Sequence, residues 1–276
     1  MICPACGQRR FVPYVAAADG QTIATDECGQ AVFGRCDRQD NCGYHRYPSH
    51  VSDGGIKVVE REPEQPLRFY PAAVEIDPNT RLFTYVAGLV GLARALKAWS
   101  DYRIGKDGER TVFWQIARDE TVRAGKSIPY KADGHRDKTD PYPANWLHKS
   151  KRFDGLHEGT ALQQCFFGEH LLNERPNDRV VIVESEKTAA VLSTISDGWV
   201  WLASGGAQGL KNDDKNKALE GREVWLLPDN GQYWNWRAIA DAHGWHIFNQ
   251  LETNAIFEGC DILDLVESGV LGKIQE

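Results

Sequence analysis

The stretch VVIVESEKTA, residues 180–189, decides the fold of this chain. It begins with four β-branched aliphatic residues, a run typical of a strand that is buried on both faces of a parallel sheet. The run ends abruptly at Glu184, and the residues that follow have helical character. An acidic side chain at this point either stabilises the start of a helix or serves as a carboxylate of a functional site.

Strand-like and helix-like segments alternate from residue 178 onward. In chain order they are VVIVE, KTAAVLSTI, WVWLAS, a helical stretch that ends near Leu219, REVWLLPD, WRAIADAHG and HIFNQ. Strands that alternate with helices over short connections predict an α/β domain, a parallel sheet with helices on both faces, over residues 178–276.

Two carboxylates and a glycine pair follow strands of this predicted sheet. Glu184 and Asp229 each stand at the carboxyl end of a strand, where ligands bind in parallel sheets. Gly205 and Gly206 follow the middle strand, where glycine lets backbone N–H groups approach a phosphate. Two converging carboxylates could hold a divalent cation. Equally, an acidic residue that begins a helix is favourable whether or not anything binds.

The N-terminal cysteines have the spacing of a metal site. Cys3 and Cys6 form a CxxC knuckle followed by Gly7, and Cys36 and Cys42 form a second, wider pair followed by Gly43. Between the pairs, FVPYVAA and QTIA flank an Asp-Gly turn and predict a β-hairpin. Residues 1–50 therefore predict a zinc ribbon in which these four cysteines bind zinc.

Other cysteine chemistry remains open at this point. Cys28, His45 and His50 are reserve zinc ligands. A redox CxxC or reduced surface thiols are the alternative, although these do not explain the glycine after each pair. Cys165 and Cys260 stand apart and are predicted to be buried packing residues.

The middle of the chain predicts a mixed α+β region over residues 81–177. A linker rich in Pro, Gly and charge precedes it over residues 51–80. A helix is predicted to begin at Asn79 or Thr80 and to continue to Trp99. Glycine turns and alternating apolar positions over residues 102–130 then predict antiparallel strands.

Charge is distributed unevenly around a net value of −7. Residues 94–160 carry 14 basic against 10 acidic side chains, whereas residues 161–276 carry 9 against 18. Cations interleaved with aromatic residues suit single-stranded nucleic acid, because phosphates meet charge and bases stack on rings. The predicted nucleic-acid contacts are Arg110, Arg123, Lys126 and Lys149. The alternative is a half-exposed sheet with ordinary Lys and Arg side chains on its solvent-exposed face, which would have nearly the same sequence.

The chain length and its termini limit the class of protein. At 276 residues the chain can hold two or three units. Its longest apolar run, over residues 82–96, is interrupted by two glycines and Arg94 and is too short to cross a bilayer. Cys3 stands where a leader would need basic and then apolar residues, so we expect a cytoplasmic protein.

VVIVESEKTA, LASGG and VWLLPD together resemble the Toprim domain of bacterial-type primases, topoisomerases and certain nucleases. Upstream, RTVFWQI, NWLHKS and CFFGEHLL are similar in order to elements of the bacterial primase catalytic core, and the ribbon occupies the place of that family's template-binding finger. About 200 residues are covered, although only the Toprim stretch has the specificity of a motif. The chain also resembles Toprim proteins of bacterial mobile elements and phages.

The resemblance implies roles for individual residues. Glu184 matches the Toprim glutamate, a general acid/base close to metal, and Asp229 matches the first aspartate of the DxD motif, a ligand of Mg²⁺ or Mn²⁺. The second aspartate is replaced by Gly231, which departs from the two-metal pattern. Glu186 could supply a substitute carboxylate. Lys187 could contact a phosphate or be an ordinary solvated side chain.

Three functions follow from these patterns and this resemblance. The first is a primase-like nucleotidyltransferase that uses single-stranded DNA, nucleoside triphosphates and a divalent metal, with any helicase on a separate chain. The second is a DNA-binding accessory protein with a degenerate Toprim site. The third is a Toprim nuclease. Residues 178–276 contain neither GxGxxG nor GxxxxGK[ST], which disfavours a dinucleotide fold or a P-loop.

Overall fold

The computed structural model describes residues 1–15, 23–26, 28–36, 42–47, 75–147, 163–254 and 262–263. The chain divides into two compact units, Met1–Glu62 and Pro63–Glu276. The domain boundaries predicted near residues 50, 80 and 177 stay predictions, and most of the predicted linker lies outside the described residues.

The N-terminal unit contains a small antiparallel sheet. Its strands are β1 (Phe11–Pro13), β2 (Gly34–Cys36) and β3 (His45–Arg46), in the order β1-β2-β3. Val15 and Ile23 form an antiparallel bridge, as the predicted hairpin requires, but its Asp-Gly turn lies outside the described residues. Phe11 pairs with Cys36 in register, which places an aromatic ring in the small core of cysteines.

Two helices open the described part of the second unit, α1 (Arg81–Val90) and α2 (Leu92–Asp101). Thr80 caps α1 as predicted, because its side chain accepts a hydrogen bond from the Phe83 N–H at 3.2 Å. The prediction of one continuous helix to Trp99 is wrong. Gly91 has a φ of +90°, which ends the first helix before the second begins.

An antiparallel sheet follows, as predicted. Its strands are β4 (Gly105–Asp107), β5 (Arg110–Ile116), β6 (Val122–Ile128) and β7 (Asn145–Trp146), in the order β4-β5-β6-β7. The half-exposed alternative is wrong for β5 and β6, whose residues are buried except for half-buried Arg110 and Arg123. Gly125 is required opposite Trp114, since a Cβ there would lie 2.5 Å from the indole ring.

The parallel sheet is formed as the alternating pattern predicts. Its strands are β8 (Arg179–Val183), β9 (Trp199–Ala203), β10 (Val224–Leu226) and β11 (His246–Ile247), and all neighbours are parallel in the order β11-β10-β8-β9. Residues 180–183 of the central strand β8 are almost completely buried, which explains the aliphatic run.

Helical segments connect these strands. A short helix α3 (Leu171–Glu174) precedes β8, and the later helices are α4 (Glu186–Leu192), α5 (Asp213–Asn216), α6 (Tyr233–His243) and α7 (Gln250–Asn254). The helical stretch predicted up to Leu219 is not one helix. It consists of the 3₁₀ turns Gly209–Lys211 and Lys217–Leu219 on either side of α5.

The two sheets of the second unit share one hydrophobic core. Phe113 and Ile128 of the antiparallel sheet belong to the same buried cluster as Val181 and Leu202 of the parallel sheet. Tyr102 links the helices to this core, because its hydroxyl donates to the Trp201 carbonyl at 2.7 Å. Among the described helices, none combines the length and the apolar composition that spanning a bilayer requires.

Candidate functional site

Four cysteine thiols converge in the N-terminal unit. The sulfur atoms of Cys3, Cys6, Cys36 and Cys42 all lie within 4.8 Å of one another. The separation is 3.7 Å between Cys3 and Cys42 and 3.9 Å between Cys6 and Cys36. Tetrahedral zinc with Zn–S bonds of about 2.3 Å requires sulfur separations of about 3.8 Å. The donor set and its spacing therefore fit a structural zinc ion.

Local backbone geometry explains this convergence. Gly7 and Gly43, which follow the two cysteine pairs, have φ values of +68° and +63°, a conformation that other residues adopt only with strain. The Gly7 N–H donates to the Cys3 carbonyl at 3.0 Å and closes the first knuckle. Of the reserve ligands, Cys28 is exposed outside the cluster, His45 contacts Tyr14, and His50 lies outside the described residues.

Three aromatic side chains form a patch on the ribbon. The Tyr14 ring stacks on Tyr47 with centroids 5.5 Å apart, and the His45 ring lies 4.5 Å from Tyr47. Tyr47 is 66% exposed, so its ring is accessible to a planar partner. Arg35 is close enough to Tyr14 to act electrostatically on its hydroxyl.

The second unit has a cleft at the switch point of the parallel sheet. From β8 the chain passes to β9 on one side and then returns to β10 on the other side of β8. Glu184 directly follows β8, and Asp229 follows β10. Both line one cleft of about 360 Å³. The complete lining is Lys126, Tyr130, His135, Arg136, Lys138, Glu184, Ser185, Glu186, Lys187, Gly205, Gly206 and Asp229.

Glu184 is half-buried at the base of this cleft. Burial raises the pKa of its carboxyl above the usual value, whereas the nearby Ala207 N–H and the cations Lys126 and Arg136 act in the opposite direction. A carboxylate with a raised pKa is a better proton acceptor than an exposed one. Together with Asp229, it supplies the one or two carboxylates with which proteins commonly hold Mg²⁺ alongside substrate phosphates.

The cleft does not contain a dense carboxylate cluster. Within the described residues, the only group of three or more metal-ligating side chains as close as 4.8 Å is that of the four cysteines. Glu186 also lines the cleft, but its carboxylate accepts hydrogen bonds from the Lys126 ammonium at 2.9 and 3.2 Å. A divalent ion held by Glu184 and Asp229 would therefore need further ligands from a bound substrate, and this site stays a prediction.

The glycine turn, which we define as residues 204–207, forms one wall of the cleft. Gly205 and Gly206 have φ values of +81° and +141°, which explains why both positions are glycine. The Gly205 N–H is engaged, because it donates to the backbone carbonyl of Glu184 at 3.1 Å. Phosphate contacts by Gly205, Gly206 and Lys187 stay predictions.

Cations line the cleft together with the carboxylates. Lys187 donates to the Gly134 carbonyl at 3.3 Å, while His135, Arg136 and Lys138 are exposed. The sequence alone did not place the last three at this cleft. The signal was present in GHRDK, residues 134–138, but nothing local to that segment indicates that it folds against the ends of β8 and β10.

The predicted nucleic-acid contacts that the structure describes are engaged within the protein. Lys126 is buried and paired with Glu186. Arg110 is bound to Asp140, Ser127 and the Tyr142 carbonyl. Arg123 pairs with Asp119 at 3.0 Å, and Lys149 lies outside the described residues. Their roles in binding nucleic acid stay predictions.

Cys165 is buried as predicted, and Cys260 is also outside the described residues.

Gly231 stands where the Toprim resemblance expects an aspartate. Its φ is +82°, and its N–H donates to the Glu252 carboxylate at 2.9 Å. The same carboxylate accepts the Tyr233 N–H at 3.2 Å, so Glu252 caps the start of α6. A Cβ at Gly231 would meet no atom within 4 Å, so the obstacle to an aspartate is backbone conformation rather than space.

Fold and site together define a mixed α/β protein with a parallel sheet, a carboxylate-lined cleft and a small N-terminal zinc-binding region. Residues 80–230 match the family described as the domain of unknown function DUF6371, and the chain belongs to that family. Residues 1–55 match a zinc beta-ribbon finger family. No curated protein matches this sequence.

Two solved structures similar to this chain are primase fragments. One is the zinc-binding and RNA polymerase domains of the Aquifex aeolicus primase, with 11% identity, a TM-score of 0.37, and coverage of 72% of this chain and 51% of that one. The other is the primase fragment of the bacteriophage T7 primase-helicase protein, with 15% identity, a TM-score of 0.34 and 84% coverage of both chains. This chain spans about half the length of the Aquifex fragment.

Proposed function

We propose that this protein is a primase-like nucleotidyltransferase that acts on single-stranded DNA with nucleoside triphosphates and Mg²⁺ or Mn²⁺, in the replication of a mobile element or phage. The observation that carries the proposal is the cleft, where Glu184 and Asp229 lie at the switch point of the parallel sheet among several cations. Carboxylates for metal beside cations for phosphates are what nucleotidyl transfer requires.

In the proposed reaction, the 3′ oxygen of the growing strand bonds to the α-phosphorus of a nucleoside triphosphate, and pyrophosphate leaves. Glu184 accepts the hydroxyl proton, a role that its raised pKa favours. Arg136, Lys138 and Lys187 line the cleft and neutralise the triphosphate oxygens. A divalent ion held by Glu184 and Asp229 would supply further neutralisation of the phosphoryl charge.

The aromatic patch on the zinc ribbon is the proposed binding surface for the template. Tyr14, His45 and Tyr47 present stacked rings, and Tyr47 is largely exposed. Stacking of bases on such rings contributes about 1–3 kcal/mol per base and tolerates any sequence. Arg35 and Arg46, which are exposed on the same sheet, would meet the phosphates.

The second candidate, a DNA-binding accessory protein with a degenerate site, is favoured by Gly231. Its backbone conformation and its bond to Glu252 adapt this position to capping α6 rather than to presenting a carboxylate. This candidate predicts salt-dependent binding of single strands without metal-dependent turnover. The third candidate, a Toprim nuclease, predicts that DNA is shortened.

The discriminating experiment is primer synthesis from nucleoside triphosphates on single-stranded DNA with Mg²⁺ or Mn²⁺. The wild-type protein, Glu184→Gln and the exposed control Glu220→Gln are compared on a labelled template. Products from the wild type and the control, but not from Glu184→Gln, support the primase proposal. Absence of product with the wild type, or equal product with Glu184→Gln, would refute it, and shortened template would indicate the nuclease.

A further inference from the structure

Two buried lysines bind consecutive carbonyl groups of the glycine turn. The Lys126 ammonium, from β6, donates to the Gly205 carbonyl at 3.1 Å. The Lys215 ammonium, from α5, donates to the Ser204 carbonyl at 2.7 Å. The two residues are only 7% and 5% exposed, so both charges are buried rather than on the surface.

Burial of an ammonium group is costly and needs a compensating interaction. Lys126 has the Glu186 carboxylate as an ion-pair partner. For Lys215, no carboxylate of a described residue lies within 4.0 Å, and its contacts are the Ser204 carbonyl and the Phe166 ring, whose centroid is 4.4 Å away. Burial lowers the pKa of Lys215 to about 8. General stability of the core does not explain a lysine here, since an apolar side chain would fit against Phe166 at lower cost.

The turn that these lysines hold is bonded to Glu184. The Gly205 N–H donates to the Glu184 backbone carbonyl at 3.1 Å. The Ala207 N–H lies near enough to the Glu184 carboxylate to lower its pKa. The turn is also closed on its far side, where Gly209 donates to the Gly206 carbonyl at 2.9 Å. A Cβ at Gly209 would lie 2.1 Å from the Ser204 oxygen, so this closure requires glycine.

From these contacts we propose that Lys126 and Lys215 are positioning residues, which fix the glycine turn and thereby hold the Glu184 carboxylate in its orientation in the cleft. This inference deepens the proposed function and rests on it for the role of Glu184. Neither lysine needs to touch the substrate, because each acts through a backbone carbonyl. Lys126 also couples the antiparallel sheet to the cleft, since β6 carries it across to the turn.

The test compares Lys215→Met, Lys126→Arg and the double variant Lys126→Met/Glu186→Gln. The second substitution of the double variant removes the Glu186 carboxylate, which would otherwise be buried without its partner. Lys217→Met is the matched control, since Lys217 is exposed and lies two residues from Lys215. The first readout is amide hydrogen exchange in the full-length protein without metal or nucleotide. The second is the affinity for Mn²⁺ alone, with Glu184→Gln as the reference for binding at the cleft.

In Lys215→Met and the double variant, we expect exchange at Gly205 and Ala207 to become about tenfold faster, which corresponds to the loss of one hydrogen bond to a charged group. Amides of β8 should be unaffected, and Mn²⁺ affinity should fall by about the same factor. Lys126→Arg should retain slow exchange and Mn²⁺ affinity, because guanidinium also donates to carbonyls.

Three results would overturn the inference: unchanged exchange at the turn, equal acceleration throughout the sheet, or local acceleration with unchanged affinity for Mn²⁺. If the wild type and Glu184→Gln bind Mn²⁺ equally, the proposed metal site is wrong, and the proposed effect of the lysines on catalysis is then also wrong. The exchange data then decide separately whether the lysines hold the turn, so the two failures are distinguishable.

Discussion

Replacement of Lys126 by methionine should strongly destabilise the second unit. The Lys126 ammonium lies 2.9 and 3.2 Å from the two oxygens of Glu186, and the side chains of this pair are only 9% and 3% exposed. Lys126→Met leaves the Glu186 carboxylate buried without its counter-charge. Breaking a buried pair in this way costs about 3–5 kcal/mol. At about 2–4 °C per kcal/mol for a unit of this size, the melting temperature should fall by roughly 6–20 °C.

The free energy of unfolding is measured by urea denaturation followed by tryptophan fluorescence. Lys97→Met is the control, because Lys97 pairs with Asp101 on the surface of α2 and is 75% exposed. An exposed pair of this kind contributes about 1 kcal/mol or less. The double variant Lys126→Met/Glu186→Leu should recover most of the lost stability, because it removes both charges. A loss for Lys126→Met no larger than that for Lys97→Met would refute this account of the pair.

Three further predictions concern the zinc site, Glu184 and the aromatic patch. Cys36→Ser or zinc chelation should unfold the zinc ribbon while the second unit keeps its fold, since zinc contributes about 10–16 kcal/mol in comparable small fingers. Nuclear magnetic resonance would detect this, and a folded, zinc-free ribbon would contradict it. Because burial raises the pKa of Glu184, its charged form is disfavoured in the folded state, so stability falls as pH rises from the unfolded pKa through the folded pKa. In metal-free buffer, Glu184→Gln should therefore raise the melting temperature at pH 7 but not at pH 4, and an equal gain at both would exclude this cause. Tyr47→Ala should weaken the binding of single-stranded DNA about 5- to 150-fold, which corresponds to the loss of one base stack. Fluorescence anisotropy measures this affinity, and Tyr142→Ala is the control, because Tyr142 is exposed outside the patch and its loss should leave binding unchanged. Equal losses in the two variants would argue against the patch.

Much of the parallel sheet could be predicted because its signals are local. The aliphatic run of β8 indicates burial on both faces, and the position of Glu184 at the end of the strand follows from where that run stops. The same reasoning predicted Asp229 after β10. Since all four strands are parallel, their carboxyl ends meet at one edge, and the shared cleft of the two carboxylates follows from the topology.

The features that could not be predicted depend on contacts between distant residues. Lys126 is indistinguishable from a surface lysine in the sequence, because its partner Glu186 is sixty positions away. Lys215 likewise sits in a segment of charged residues and is buried only because α5 folds beneath the glycine turn. The break at Gly91 was missed for a different reason, since a glycine within an apolar helical pattern is compatible with either a continuous or an interrupted helix.

In the proposed function, Glu184 and Asp229 form a metal site for nucleotidyl transfer. Its most direct test is a titration of the full-length protein with Mn²⁺ in the presence of a nucleoside triphosphate, monitored by electron paramagnetic resonance. We expect the wild type to bind Mn²⁺, and Glu184→Gln and Asp229→Asn each to weaken this binding at least tenfold, with the zinc ribbon intact. Binding of the same strength in all three proteins would contradict the claim.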